Sequence, residues 1–274
     1  MNSVVRFFPS LLKNERLDDG GGNWLSRLTR AWSLHAREYW DLIESDQFDS
    51  RYLRETGLIP NLVEMIGDCS EAVMLDAGTG TGWLFDHIRP KQSYACDVVE
   101  PKNLSNDVVF RFEDVNALSF ASDTFDIIVA SLLLLYCNDL ERVCREFHRV
   151  AKRDDARLIV VIMHPYFYRT GETNPDGTFL LTRDLSHQAS FEFKIGNEVG
   201  PFRYYYRPLP DYLNTLIRTG WDIVATRDWF IDLESYKRAT RDVKEGRVPR
   251  TGYTPLFTFI ECKSRELPAE SLIR

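Results

Sequence analysis

The segment that most restricts this chain reads Val73-Met74-Leu75-Asp76-Ala77-Gly78-Thr79-Gly80-Thr81-Gly82. A short apolar run passes directly into three alternate glycines. Glycine admits positive φ and leaves no side chain between backbone and ligand, so such a turn lets a strand end against a bound molecule. Apolar spacing through Ile88 predicts a helix after the turn, whose first N–H groups and dipole would favour an anionic group. The spacing G-x-G-x-G is neither the G-x-G-x-x-G of dinucleotide folds nor the G-x-x-x-x-G-K-[ST] of P-loops, and with no lysine following, a triphosphate would be poorly held. A glycine turn that holds no ligand is the competing reading.

The rhythm around this segment predicts strands at Ala72–Leu75, Ser93–Cys96, Val108–Phe112, Phe125–Ala130 and Arg157–Met163, with an amphipathic helix at Asp139–Ala151. Strands that alternate with helices imply a mostly parallel sheet with right-handed crossovers. The continuous apolar run of the fifth strand suits a sheet covered on both faces. Ahead of the sheet, residues 1–22 read as a flexible arm ending in Asp-Asp-Gly-Gly-Gly, and residues 23–68 as two helices, 24–45 and Ser50–Ile66, forming a lid. Residues 69–165 are the predicted ligand-binding core, and 166–207 a β-rich cap of hairpins inserted after strand five. Residues 208–274 complete the domain with a helix at Pro208–Thr219, strands at Trp221–Thr226 and Leu256–Lys263, and a charged helical insert at Leu233–Glu245.

Composition narrows the function classes. The net charge of -7 disfavours a nucleic-acid binder, which needs a basic surface. No apolar run approaches the ~18 residues of a membrane span, so no membrane partner is expected. Five cysteines, an odd number with no C-x-x-C pair, indicate a reducing compartment, a cytoplasmic location and no metal site. Cys96 and Cys137 read as small core residues. A monomer or homodimer is expected.

Two carboxylates follow the glycine turn in a telling order. Asp97 ends the second predicted strand, where an acid in an open α/β sheet can take both ribose hydroxyls. Asp114 follows the third, where a carboxylate can accept from an exocyclic amine such as adenine N6. Either acid alone reads equally well as a solvated strand end or a helix cap.

Three linked stretches carry a family resemblance: the glycine turn; Glu113-Asp114-Val115-Asn116-Ala117-Leu118-Ser119-Phe120 followed by Asp123-Thr124-Phe125-Asp126-Ile127-Ile128-Val129; and Asp139-Leu140-Glu141-Arg142-Val143 through Glu146-Phe147-His148-Arg149-Val150. Together they resemble the Rossmann-like (class I) S-adenosylmethionine-dependent methyltransferases, over about 71–165 and more faintly 208–263. The resemblance implies an α/β fold with a seven-stranded mostly parallel sheet, helices on both faces, and S-adenosyl-L-methionine as cofactor. It places Gly78, Thr79, Gly80 and Gly82 against the cofactor's methionine part, Asp76 at its ammonium, Asp97 at ribose, Asp114 and Val115 at adenine, and Ser131 and Leu132 near the transfer site. The chain departs from the family at Asp154-Asp155, where a Pro-Gly-Gly turn is usual, and at Leu134-Leu135-Tyr136, where many relatives carry histidines. Its second strand is also closer than usual, leaving Glu100 as a second candidate for ribose.

Methyl transfer from a sulfonium is an in-line displacement in which the protein aligns the partners and excludes water. A hydroxyl or ammonium acceptor also needs a base. His164, at the end of strand five before Pro165, is the candidate; a strand-end histidine engaged in a hydrogen bond is the alternative. Tyr39, Tyr52, Tyr136, Tyr166, Tyr168 and Tyr206 are candidate walls for a planar or apolar small-molecule acceptor, or else the cap's own core. Arg203 and Arg207 would steady an anionic substrate or be solvated. The implied activity is methyl transfer to N, O or C of a small molecule, in specialised metabolism. A non-catalytic S-adenosylmethionine-binding module, or an enzyme acting on protein or RNA, are the other readings.

Overall fold

A computed structural model describes residues 32, 34–41, 44, 50–153, 155–165, 171–173, 179–181, 186–195, 199–232 and 255–266. Five strands lie parallel: β1 (Val73–Ala77), β2 (Gln92–Asp97), β3 (Val108–Phe112), β4 (Ile127–Ser131) and β5 (Arg157–Met163). Two small hairpins follow, β6 (Gly171–Thr173) with β7 (Phe179–Leu181) and β8 (Ala189–Ile195) with β9 (Val199–Tyr206). β10 (Trp221–Phe230) and β11 (Pro255–Ser264) complete a seven-stranded sheet in the order β10-β11-β5-β4-β1-β2-β3, in which β11 alone runs against its neighbours. The sheet is mostly parallel, as the alternation of elements predicts, and seven-stranded, as the family resemblance implies.

Alternate residues of the central strands feed two cores. Leu75, Ile128, Ala130, Leu158, Val160 and Ile162 pack with helices α3 (Leu140–Val150) and α4 (Leu209–Arg218). Met74, Ile127, Val129, Ile159 and Val161 face the other side, against Leu58, Leu62 and Ile66 of the N-terminal helical run. That run comprises α1 (Ser50–Leu53), a π-helical turn (Arg54–Leu58) and α2 (Ile59–Ile66). α3 starts where Asp139 accepts a hydrogen bond from Arg142 N at 2.9 Å, a side-chain cap for an otherwise orphaned amide. Arg157 fastens α2 to the sheet: it donates to the carbonyls of Ile66 (2.8 Å) and Met65 and pairs with Glu261. A cation at a helix C-terminus suits both the free carbonyls and the dipole.

One predicted element is much shorter than expected. After the glycine turn the chain makes only a 3-10 turn, Trp83–Asp86, instead of a helix through Ile88. The Arg89 guanidinium donates to the carbonyls of Phe85 and, at 2.8 Å, Ile88. The next residue, Pro90, has no N–H to continue a helix and disfavours helical backbone at Arg89. The anion-binding helix start inferred from the sequence is therefore absent at this turn.

Residues 34–41 are helical, in agreement with the predicted first helix as far as it is described. The 1–22 arm, Tyr166, Tyr168 and the 233–245 insert lie outside the described residues. Among the described residues no helix is long and apolar enough to cross a membrane. All five cysteines are free and buried.

Candidate active site

The chain leaves β1 towards β2 and β3 on one side and returns through β4 to β5 on the other, so the carboxyl ends of β1 and β4 border the switch point where open α/β sheets bind ligands. The glycine turn sits there. Gly78, Gly80 and Gly82 have φ of 70°, 59° and 86°. The turn is tied down by Gly78 N (2.8 Å) and Thr79 N (3.1 Å), which donate to Cys96 O. The glycines are needed for different reasons. A Cβ on Gly78 would come within 2.7 Å of the Leu133 side chain, so that glycine serves close packing. A Cβ on Gly80 would meet only the Trp40 indole nitrogen, at an ordinary contact distance of 3.9 Å, so that glycine answers to its positive φ and not to close packing.

Two acids converge beneath the turn. Asp76 is buried and accepts from Thr79 Oγ1 at 2.7 Å. Burial, with some help from the nearby Asp97 charge and opposed by the Thr79 bond, pushes its pKa up to about 7. Asp97 accepts from Gly80 N at 2.9 Å and Val99 N at 3.2 Å. Desolvation raises its pKa while those N–H groups oppose the rise. Asp114 is engaged in a local turn, its Oδ1 accepting from Asn116 N (2.9 Å) and Nδ2 (2.7 Å).

At the exit of β4, Ser131 is followed by Leu132 in the left-handed region at φ 54°, a conformation that side chains other than glycine's rarely adopt and that clusters at functional sites. Its amide donates to Val161 O at 2.8 Å. Leu132, Met163, Leu135, Tyr136, Tyr204 and Tyr206 form a small apolar cluster at the ends of β4 and β5. Trp32 abuts it, with its ring centroid 5.0 Å from Tyr136 and 4.5 Å from Phe202. Tyr39, hydrogen-bonded to Tyr136, lies 5.6 Å from Phe202. Trp32 and Tyr39 thus sit at this cluster and Trp40 beside the glycine turn.

His164 is buried, with its amide donating to Leu256 O at 2.8 Å and its Nε2 4.0 Å from Asp228 Oδ2. Asp228 in turn accepts from Thr258 Oγ1 at 2.7 Å. Desolvation lowers the imidazole pKa, with the Asp228 charge opposing, so the ring is neutral at pH 7 and able to take a proton. A groove of about 810 Å³ lies away from these edges, between residues 116–120 and the outer face of α3. Its arginines are committed to Asn116 O, Leu118 O, Phe120 O and Glu141.

Residues 75–159 match the family described as methyltransferase domain. Residues 75–159 are a methyltransferase domain. Among curated proteins, malonyl-[acyl-carrier protein] O-methyltransferase of Hamiltonella defensa is 28% identical over 98 residues, 33% of this chain and 38% of that protein. Mouse mitochondrial arginine-hydroxylase NDUFAF5 is 28% identical over 125 residues, 42% of this chain and 36% of that protein. The chain thus spans well under half the length of these relatives. Among solved structures, Burkholderia thailandensis 1,6-didemethyltoxoflavin-N1-methyltransferase, with bound 1,6-didemethyltoxoflavin and S-adenosylhomocysteine, shares the fold at a TM-score of 0.56 and 14% identity. It covers 93% of this chain and 100% of that one.

The fold brings together Asp76, Gly78, Thr79, Gly80, Gly82 and Asp97 at one edge, and Ser131, Leu132, Tyr136 and Tyr206 at the adjoining one. Val115 and Tyr52 fit the expected contacts less well. The Val115 side chain belongs to the α3-side core, and Tyr52 packs with the opposite core beside Leu53. Arg207 is not solvated. It is buried and donates to the carbonyls of Leu134 (3.3 Å), Cys137 (2.6 Å) and Asn138 (2.7 Å), holding the loop after β4. Sequence reasoning missed Leu133 over Gly78, and Asp228 opposite His164. Asp228 reaches His164 only through the antiparallel pairing of β10 with β11, which no local pattern announces.

Proposed function

We propose that this chain binds S-adenosyl-L-methionine at the glycine turn and transfers its methyl group to a small-molecule acceptor held at the ends of β4 and β5. The observation that carries the reading is the turn itself: three glycines of positive φ with no side chains of their own, one buried acid below them at Asp76 and a second at Asp97 on the neighbouring strand. These residues fit the cofactor. Asp76 suits an ammonium group, Asp97 suits vicinal hydroxyls once it exchanges Gly80 N for ribose, and Asp114 keeps its second oxygen for an exocyclic amine. The cofactor supplies an activated methyl group; the chain supplies alignment and a dry site.

The acceptor reading is supported by aromatic walls, which favour planar or apolar molecules, and by the small heterocycle named for the Burkholderia enzyme. His164 is the proposed base, with Asp228 placed to steady the imidazolium that would form. A second reading has its own support. A curated relative is named for arginine hydroxylation, an activity other than methyl transfer, which supports a reading in which this chain binds the nucleotide without donating its methyl group. Incubation with methyl-labelled S-adenosylmethionine and, in turn, a metabolite extract, RNA and a proteome separates the cases. Label in small molecules, lost in His164→Ala at unchanged nucleotide affinity, is the expected result. Nucleotide binding with no label in any fraction favours the second reading.

A further inference from the structure

Asp228 stands where a regular β10 would not put it. Trp221 and Ile223, early in that strand, pack into the α3-side core. Arg227 and Trp229, an even number of residues further on, turn to the opposite face, Arg227 onto Glu64 of α2 at 2.8 Å and Trp229 onto Phe257. The switch is made at Val224, the extra residue where the pairing with β11 shifts between Ile223 and Ala225. One added residue sends the side chains that follow to the other side of a sheet. Asp228 thereby comes up beside Thr258, its direct partner on β11, and towards His164 after β5. Among the described residues two contacts define the carboxylate. Oδ1 accepts from the Thr258 hydroxyl at 2.7 Å, and Oδ2 lies 4.0 Å from His164 Nε2. Thr258 and His164 are buried, whereas the Asp228 side chain is 39% exposed on an edge strand. An unheld carboxylate there would turn to water, which solvates an anion better than a protein interior does. The neighbouring Arg227 does not hold it, because its guanidinium is spent on both oxygens of Glu64.

We propose that Thr258 is a positioning residue for methyl transfer: by donating to Oδ1 of Asp228 it keeps Oδ2 turned to His164, so that the imidazolium formed when the acceptor gives up its proton has a counter-charge in place. Thr258 itself moves no proton and touches no substrate. The inference rests on His164 acting as the base, and it adds the residue that makes Asp228 a fixed charge instead of a solvated one. Both partners lie on strands beyond residue 159, outside the methyltransferase domain.

NMR titration of the imidazoles in the full chain, free of ligands, tests this, with His164 assigned among the five histidines by the signal missing from His164→Ala. Asp228→Asn is expected to lower the His164 pKa by about one pH unit, the low end of what an opposite charge at this range does. Thr258→Val and Thr258→Ala should each lower it by at least about half as much, because the released carboxylate turns away. Thr258→Ser should keep the wild-type value, and Thr258→Val added to Asp228→Asn should lower it no further. An unmoved or raised pKa in Thr258→Val and Thr258→Ala, or a fall that persists in the Asp228→Asn background, overturns the assignment and leaves the base reading standing. So does an Asp228→Asn protein whose His164 titrates as in the wild type. The base reading is tested separately by labelling: a His164→Ala protein that methylates the metabolite fraction at the full rate removes that reading and this assignment with it.

Discussion

Asp76 carries a consequence at the scale of a single residue. Its pKa near 7 means that the carboxyl of the free protein is largely protonated below neutrality. An ammonium ligand needs the ionised form, so binding below pH 7 must release a proton. Affinity for S-adenosylhomocysteine is therefore expected to fall by about tenfold per pH unit below 7 and to level off above it. Asp76→Asn should bind weakly with no such slope. The stability of the free protein moves the other way. A group whose folded pKa is raised contributes stability below its unfolded value, and that contribution is lost as pH rises through about 7. Titration calorimetry in buffers of different ionisation enthalpy reads the proton directly. His164 has the opposite sign: its lowered pKa stabilises the fold at neutral pH, and this is lost as the solution becomes acid.

At the scale of elements, the loop after β4 depends on one buried cation. Arg207 closes β9 and donates to three carbonyls of that loop, while its guanidinium lies 5.4 Å from the Tyr205 ring centroid. Arg207→Leu leaves those carbonyls without donors and should cost about 3 kcal/mol. A lower urea midpoint at unchanged slope would report it, and the Tyr136 wall should loosen with the loop. How far elements were legible in the sequence follows from the same physics. β3 and β5 fall on the residues predicted, Val108–Phe112 and Arg157–Met163, because uninterrupted apolar or alternating runs have one sensible strand reading. The helix after Gly82 was misread because Trp83, Leu84, Phe85 and Ile88 carry helical spacing, while termination depends on where the Arg89 side chain turns. The glycines and acids of the candidate site were visible because backbone demands and carboxylates leave local marks. Asp228 and Leu133 were not, because each acts through an element remote in sequence.

At the scale of the whole molecule, the stretch from Trp32 to Trp40 lies across the carboxyl edge of the sheet. Trp32 meets Tyr136 and Phe202 at one end, Trp40 lies over Gly80 at the other, and Asp41 pairs with Lys102 in the β2–β3 connection. If this stretch is a lid, the ion pair is its latch. Lys102→Glu and Asp41→Lys should each speed dissociation of S-adenosylhomocysteine by about two- to fivefold, the scale of an exposed ion pair, and the double reversal should restore the slow rate. Stopped-flow tryptophan fluorescence would follow it. On the proposed function, a cover that touches both halves of the crevice would also give nucleotide and acceptor one doorway. Whichever molecule must sit deeper has to arrive first and leave last, so turnover would follow a compulsory order, with the spent nucleotide waiting behind the product.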